Sequence, residues 1–152
     1  YSPRLMEIHI KTFEELTKAE LYAILALRCE VFVVEQECAY QDLDYKDQKA
    51  IHVLGKKEGK VVAYTRMFKP GDYFENTSIG RVVVAQNARQ YGYGKDIMLA
   101  SLQEIEENFA KGTIELSAQT YLTKFYRDLG FVEQGEGYLE DGIPHIRMVC
   151  NK

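Results

Sequence analysis

The sequence predicts one α+β domain with a mixed, mostly antiparallel sheet, and three observations carry that prediction. Short segments that alternate polar and apolar residues recur along the 152-residue chain, the period of half-buried strands. Two stretches, Leu21 to Phe32 and Gly94 to Phe109, instead repeat apolar residues at helical intervals. The content, 46% hydrophobic and 28% charged, is that of a single globular domain. At this length a domain buries roughly two-thirds of the surface its unfolded chain exposes, so neither metals nor disulfides are needed to hold it. Without an internal repeat, a low-complexity segment or a linker, residues 1–152 read as one domain.

Glu7 to Lys11 alternates and reads as a first strand with Ile8 and Ile10 inward. Thr17 is a plausible N-cap, with Glu20 at capping-box spacing. The helix it opens carries Leu21, Ile24, Leu25, Leu27, Val31 and Phe32 on its core stripe. A polar, acidic loop runs from Gln36 to Lys49. Ile51 to Lys57 and Val61 to Phe68 form a hairpin about Gly59, and Lys69-Pro-Gly-Asp breaks the chain before a strand from Ser78 to Val84. The long helix follows, with Gly112 just past its end. Thr113 to Ala118 is a strand and Lys124 to Leu129 a short helix stopped by Gly130. Phe131 to Gln134 and Pro144 to Cys150 are the last strands, joined by a Gly-rich connection. The order is β-α-β-β-β-α-β-α-β-β, with a parallel part around the long helix.

Composition narrows the partners. Nineteen basic and 23 acidic residues give a net charge of −4, which argues against nucleic-acid binding by bulk electrostatics. The longest apolar run, Leu21 to Leu27, has seven residues against the roughly 18 needed to cross a membrane. The first four residues lead straight into a strand-like segment, so no signal peptide is expected. Cys29, Cys38 and Cys150 are odd in number and fit no zinc spacing. They read as free buried thiols in a reducing, cytoplasmic setting. Asp42, Asp44 and Asp47 resemble a calcium loop only superficially, because the sixth position lacks Gly and the twelfth is Val53; no metal is predicted. A solvated acidic loop beside a cleft would favour a cationic amine.

The chemistry concentrates in Val82 to Lys95, where a buried strand runs through a two-glycine loop into the long helix. Backbone N–H groups at a helix start are unpaired and lie at the positive end of the dipole. Glycine lets that backbone approach a ligand, so the junction suits a phosphate or pyrophosphate, and Arg89 could add a charge-assisted contact. It is neither a P-loop, lacking Gly-Lys-Ser/Thr, nor a dinucleotide fingerprint, lacking a third Gly. A plain glycine turn that starts a helix remains the bland alternative.

Arg89-x-x-Gly92-x-Gly94 resembles the acetyl-CoA pyrophosphate loop of the GNAT N-acetyltransferases, and Thr123 to Phe131 resembles that family's signature around a general-acid tyrosine. Further blocks are similar to the ElaA-like branch: Leu27-Arg28-x-x-Val31-Phe32-Val-Val-Glu35-Gln36, Tyr40-Gln41-Asp42-x-Asp44, Gly80-Arg81-Val82 and Asp141 to Ile146. Together they cover most of the chain in order. The acidic loop before Ile51 is shorter than the pattern, so the resemblance implies no substrate contact from it.

The resemblance implies the GNAT fold, acetyl-CoA as co-substrate and direct acetyl transfer to a primary amine in a ternary complex. Arg89, Gln90, Tyr91, Gly92, Tyr93, Gly94 and Lys95 would form the pyrophosphate loop. Backbone groups of Val82, Val83 and Val84 would bind the pantetheine arm and face the thioester oxygen. Tyr126 would protonate the coenzyme A sulfur, unless it is only a core tyrosine. His145 is similar in context to the base of the glyphosate N-acetyltransferase branch, and its alternative is a hydrogen-bonded sheet histidine. Glu35 is the rival base. It stands seven residues after Arg28, on the same side of a regular helix, so Arg28 could neutralise it or bind a substrate carboxylate. Arg81 is a buried structural arginine or a substrate anchor. His52 could line the substrate cleft, whereas His9 falls on a polar face.

A peptide or small-molecule amine is the expected partner, and the resemblance leaves room for a homodimer. Two other readings compete. Arg28-x-x-Val31-Phe32 also resembles the N-terminal segment of acyl-homoserine-lactone synthases. A non-catalytic acyl-CoA sensor would keep the fold without turnover, but the presence of Arg89, Gly92, Gly94 and Tyr126 favours an enzyme.

Overall fold

The computed structural model describes residues 5–151. The first four residues, read above as leading into the first strand, lie outside them. Seven strands form one sheet in the order β1-β2-β3-β4-β5-β7-β6. They are β1 (Glu7–Thr12), β2 (Ile51–Lys57), β3 (Lys60–Phe68), β4 (Thr77–Val84), β5 (Thr113–Gln119), β6 (Val132–Glu140) and β7 (Ile143–Asn151). Neighbours are antiparallel except β4 and β5. The helices are α1 (Lys18–Arg28), α2 (Tyr93–Asn108) and α3 (Thr123–Arg127).

Alternation along the strands sorts the core onto the two sheet faces. Val53, Ala63 and Met67 point to α2, which buries Tyr93, Ile97, Met98, Leu102 and Ile105 against them. Leu54, Tyr64 and Val83 point the other way, against Ile24, Leu27 and Val31. The expected capping box forms at α1: the Thr17 side chain accepts from the Glu20 N–H, and Glu20 accepts from the Thr17 N–H. Glu20 also binds Lys11 and Lys56, tying the helix start to β1 and β2.

Five expectations need correction. Ile8 and Ile10 are 37% and 36% exposed, because β1 is the edge strand and pairs only with β2. Leu21 and Leu25 are half-buried at the margin of the α1 stripe. Cys29 is exposed, while Cys38 and Cys150 are buried and all three are free thiols. Beyond Arg28 the helix widens into a π-helix, Cys29–Glu35, whose Gln36 N–H bonds the Val31 carbonyl and Cys38 N–H the Val33 carbonyl. That wider winding re-aims every later side chain. The Gly-rich segment at 135–137 is also no connection. It is a bulge within β6, between the pairs Gln134↔Arg147 and Tyr138↔His145. The turn is Asp141-Gly142, both left-handed (φ 51° and 78°), the two-residue geometry that suits a hairpin's twist.

Candidate active site

A parallel pairing that fails after two residues opens the sheet. β4 and β5 are joined only at Thr77↔Ile114 and Ser78↔Glu115. Beyond that point β4 carries a bulge, since Gly80 to Val83 spans one residue more than Tyr64 to Arg66 opposite it on β3. Arg81 takes up the extra residue in the left-handed region, φ 49°. A non-glycine there is strained, and bulges of this kind bend a strand and redirect its side chains. The strands part around a cleft of about 950 Å³. Val82, Val83 and Val84 line it with the β4 edge that has no strand partner beyond Ser78.

At its end β4 passes through a 3-10 turn, Gln86–Tyr91, into α2. Gly92 is the N-cap at φ 75°, and no side chain among the described residues caps the helix. The first amides of α2, from Tyr93 to Lys95, therefore have no intrahelical acceptor. Gly92, Gly94 and Lys95 line the cleft. A Cβ on Gly94 would already sit 3.6 Å from Phe125 and 3.7 Å from Val84, so the backbone packs close at that wall. Only the backbone of Tyr93 is available here, because its ring is fully buried in the core. Gln90 and Tyr91 are outside the cleft; Gln90 is exposed and the Tyr91 ring packs beneath the Lys57 ammonium at 4.5 Å.

Arg89 is held from both sides. Its Nε donates to the Val84 carbonyl at 3.2 Å, and its two terminal nitrogens donate to the Glu35 carboxylate at 2.6 and 2.7 Å. The Arg89 guanidinium holds the Glu35 carboxyl below the usual carboxylate range. That weakens Glu35 as a proton acceptor. It also shows that the partner of Glu35 is Arg89 and not Arg28, since the π-helix turns the two out of line.

Arg28 and His52 are placed away from the cleft. Arg28 is fully buried, with Nε on Asp42 and one terminal nitrogen on Asp47, both at 2.7 Å. His52 is fully buried between the Asp47 carbonyl (2.9 Å from Nε2) and the Tyr64 hydroxyl (2.5 Å from Nδ1). A carbonyl only accepts, so Nε2 carries the proton and Nδ1 accepts from Tyr64. Burial pushes the His52 pKa down, which keeps the ring neutral. Arg81 does line the cleft and is anchored by Asp42 at 2.7 Å.

Sequence reasoning missed Arg66, which is 1% exposed and binds Asp44 and Asp47. The signal was there: an arginine inside a mostly apolar strand. Three arginines thus neutralise Asp42, Asp44 and Asp47, correcting the expectation of a solvated acidic loop. Burial pushes the Asp44 carboxyl up, but hydrogen bonds and charge from Arg66 outweigh it and hold the pKa at about 2.

Tyr126 and His145 share the cleft wall. Tyr126 is 5% exposed, edge-on to Phe125 and Phe131, and burial pushes its phenol pKa up. His145 stands on β7 opposite Gln119. Its Nδ1 lies 2.7 Å from the Ile143 carbonyl, so Nδ1 carries the proton in the neutral ring and the Nε2 lone pair is free. Glu140 lies 3.4 Å from that Nε2. Tyr138 stacks on the ring and bonds Ser117 through its hydroxyl. Among the described residues no group of three or more His, Cys, Asp and Glu is gathered to hold a metal, and no helix is long and apolar enough to cross a membrane.

A sheet split between two parallel strands, with an uncapped helix start at the mouth of the split, defines an acyl-CoA transferase architecture. The chain belongs to the GNAT acetyltransferase family, whose domain model matches residues 14–152. It is 43% identical over 136 residues to Protein ElaA of Escherichia coli, across 88% of this chain and 89% of that protein. The crystal structure of Escherichia coli ElaA superposes with a TM-score of 0.90 at 40% identity, covering 97% of this chain and all of that one (100%). An acyl-CoA N-acyltransferase from Pseudomonas aeruginosa superposes with a TM-score of 0.89 at 41% identity, over 95% and 99% of the two chains.

Proposed function

We propose that the protein transfers acetyl from acetyl-CoA to a primary amine, by direct attack in a ternary complex. One observation carries the reading: the open β4 edge at Val82–Val84 and the uncapped start of α2, joined by the Gln86–Tyr91 turn, line the same cleft. The edge offers N–H and C=O groups in strand spacing to the two amides of a pantetheine arm. The free N–H groups from Tyr93 to Lys95, with the Lys95 and Arg89 side chains, suit a diphosphate. The similarity to an acyl-CoA N-acyltransferase supports the same donor class. Three free thiols suit a reducing, cytoplasmic setting.

The chemistry then falls to few groups. His145 Nε2 accepts the proton that frees the amine lone pair, and an N–H of the β4 edge faces the thioester oxygen as it gains charge. The amine forms its C–N bond as the C–S bond breaks. Tyr126 gives its proton to the departing sulfur. Burial keeps that phenol protonated at neutral pH, and the same dry wall makes an unprotonated thiolate costly there. Glu35, held by Arg89, is left out of the proton transfers.

Two measurements test the reading. Titration calorimetry should detect coenzyme A binding, and a turnover screen across small amines, polyamines and peptides should release thiol with at least one of them. Absence of coenzyme A binding at millimolar ligand refutes the proposal. Product formed only with S-adenosylmethionine as acceptor would instead place the protein with the acyl-homoserine-lactone synthases.

A further inference from the structure

We infer that Glu140 is the acceptor-binding carboxylate of this cleft, and that the amine it takes is a cationic one, held as an ammonium between Glu140 and Nε2 of His145. The inference rests on the transferase reading above and extends it to the class of acceptor.

Among the described residues four carboxylates line the cleft: Glu35, Asp44, Glu140 and Asp141. Two are already neutralised. Glu35 is held at two points by Arg89, and Asp44 by Arg66 and Arg81. Glu140 and Asp141 have no lysine or arginine partner among the described residues. Of these two, Glu140 stands 3.4 Å from an imidazole nitrogen whose side chain is 9% exposed. That nitrogen is the free acceptor position of His145, because Nδ1 faces the Ile143 carbonyl. The other described groups beside the ring are neutral: the Tyr138 phenol, engaged by Ser117, and Gln119 opposite on β5, engaged by Gln36. A lone-pair acceptor and an unneutralised carboxylate, side by side on one wall, match the donors and charge of an alkylammonium. Glu140 is 51% exposed, so it can reach into the cleft without disturbing the core.

The protons balance. The ammonium arrives with three. One passes to Nε2, and the imidazolium so formed is stabilised by Glu140. The neutral amine attacks, loses a second proton as the amide forms, and keeps the third. Tyr126 supplies one proton to the thiolate and recovers one from those released. One proton leaves to solvent per turnover.

The test needs no knowledge of the natural acceptor. n-Butylammonium chloride and 1-butanol serve as charged and neutral probes, read by the imidazole NMR signals of His145 in the full chain. Butylammonium should shift those signals and butanol should not. Glu140→Gln should weaken the butylammonium response about tenfold. Glu136→Gln, which removes one charge from the same hairpin, should change it less than twofold, and Glu140→Asp should recover part of it. Equal responses to the two probes, or an undiminished response in Glu140→Gln, overturns the inference. Coenzyme A binding is measured on the same samples. Its absence in the wild-type chain overturns the transferase reading. Its presence without an ammonium response overturns only the assignment of Glu140.

Discussion

Replacing Arg28 by methionine separates a structural arginine from a substrate anchor. The change keeps a long side chain and removes one buried charge. Breaking a buried ion pair by deleting one partner costs about 3–5 kcal/mol, because the other charge is left without compensation. Here both carboxylates keep a second cation. Asp42 retains Arg81 Nε at 2.7 Å and the Tyr40 hydroxyl at 2.8 Å, and Asp47 retains Arg66 at 2.9 Å. The loss should therefore fall at the lower end, about 3 kcal/mol, a large share of the ~5–15 kcal/mol that holds a domain together. With a urea slope of about 1–3 kcal/mol/M, the unfolding midpoint should drop by about 1–3 M. Coenzyme A affinity of the folded fraction should stay within about twofold, since Arg28 does not reach the cleft. A stability loss under about 1 kcal/mol, or lost ligand binding at unchanged stability, would refute the assignment.

Four more outcomes follow from the same geometry. Tyr126→Phe keeps the packing and removes the proton, so turnover with the best amine of the screen should fall by about a hundredfold or more while coenzyme A affinity is unchanged. Gly92→Ala meets no atom within 4 Å, so its only penalty is the left-handed φ of 75°. That predicts a loss of about 1–2 kcal/mol in thermal unfolding, with weaker coenzyme A binding by calorimetry. Glu35→Gln releases a half-exposed guanidinium from a pair worth about 1 kcal/mol at most. Coenzyme A affinity should rise by up to about fivefold, and this gain should shrink in high salt. Asp44 has its pKa depressed on folding, from an ordinary 3.8 to about 2. Its contribution is thus complete above pH 3.8, is lost as the pH falls through that window, and gains nothing on the alkaline side. Asp44→Asn should flatten the acid limb of the stability curve.

Features governed by near neighbours were legible in the chain. Thr17 and Glu20 are three residues apart, and their reciprocal bonds need nothing but a helix start. The α2 stripe and the junction ending at Gly94 are likewise local, which is why the cleft's mouth could be read from spacing. The partners of charged side chains were not. Arg28 and Glu35 share a face only in a regular α-helix, and the wider turn from Cys29 moves them apart. Arg89 finds Glu35 across 54 positions of sequence. His52 alternates with its neighbours as a cleft residue would, yet the loop carrying Asp47 closes over it.

By itself the sequence determined the order of the elements and the glycine-bearing helix start, because propensity, periodicity and capping act over a few residues, while its motifs carried the resemblance to the family. Tertiary structure alone decided where the sheet splits, which carboxylates stay free and which histidine faces the cleft. Those depend on a bulge at Arg81 and on charges paired across loops, where the winning contact is chosen by distance in space and desolvation, neither of which the order of residues records.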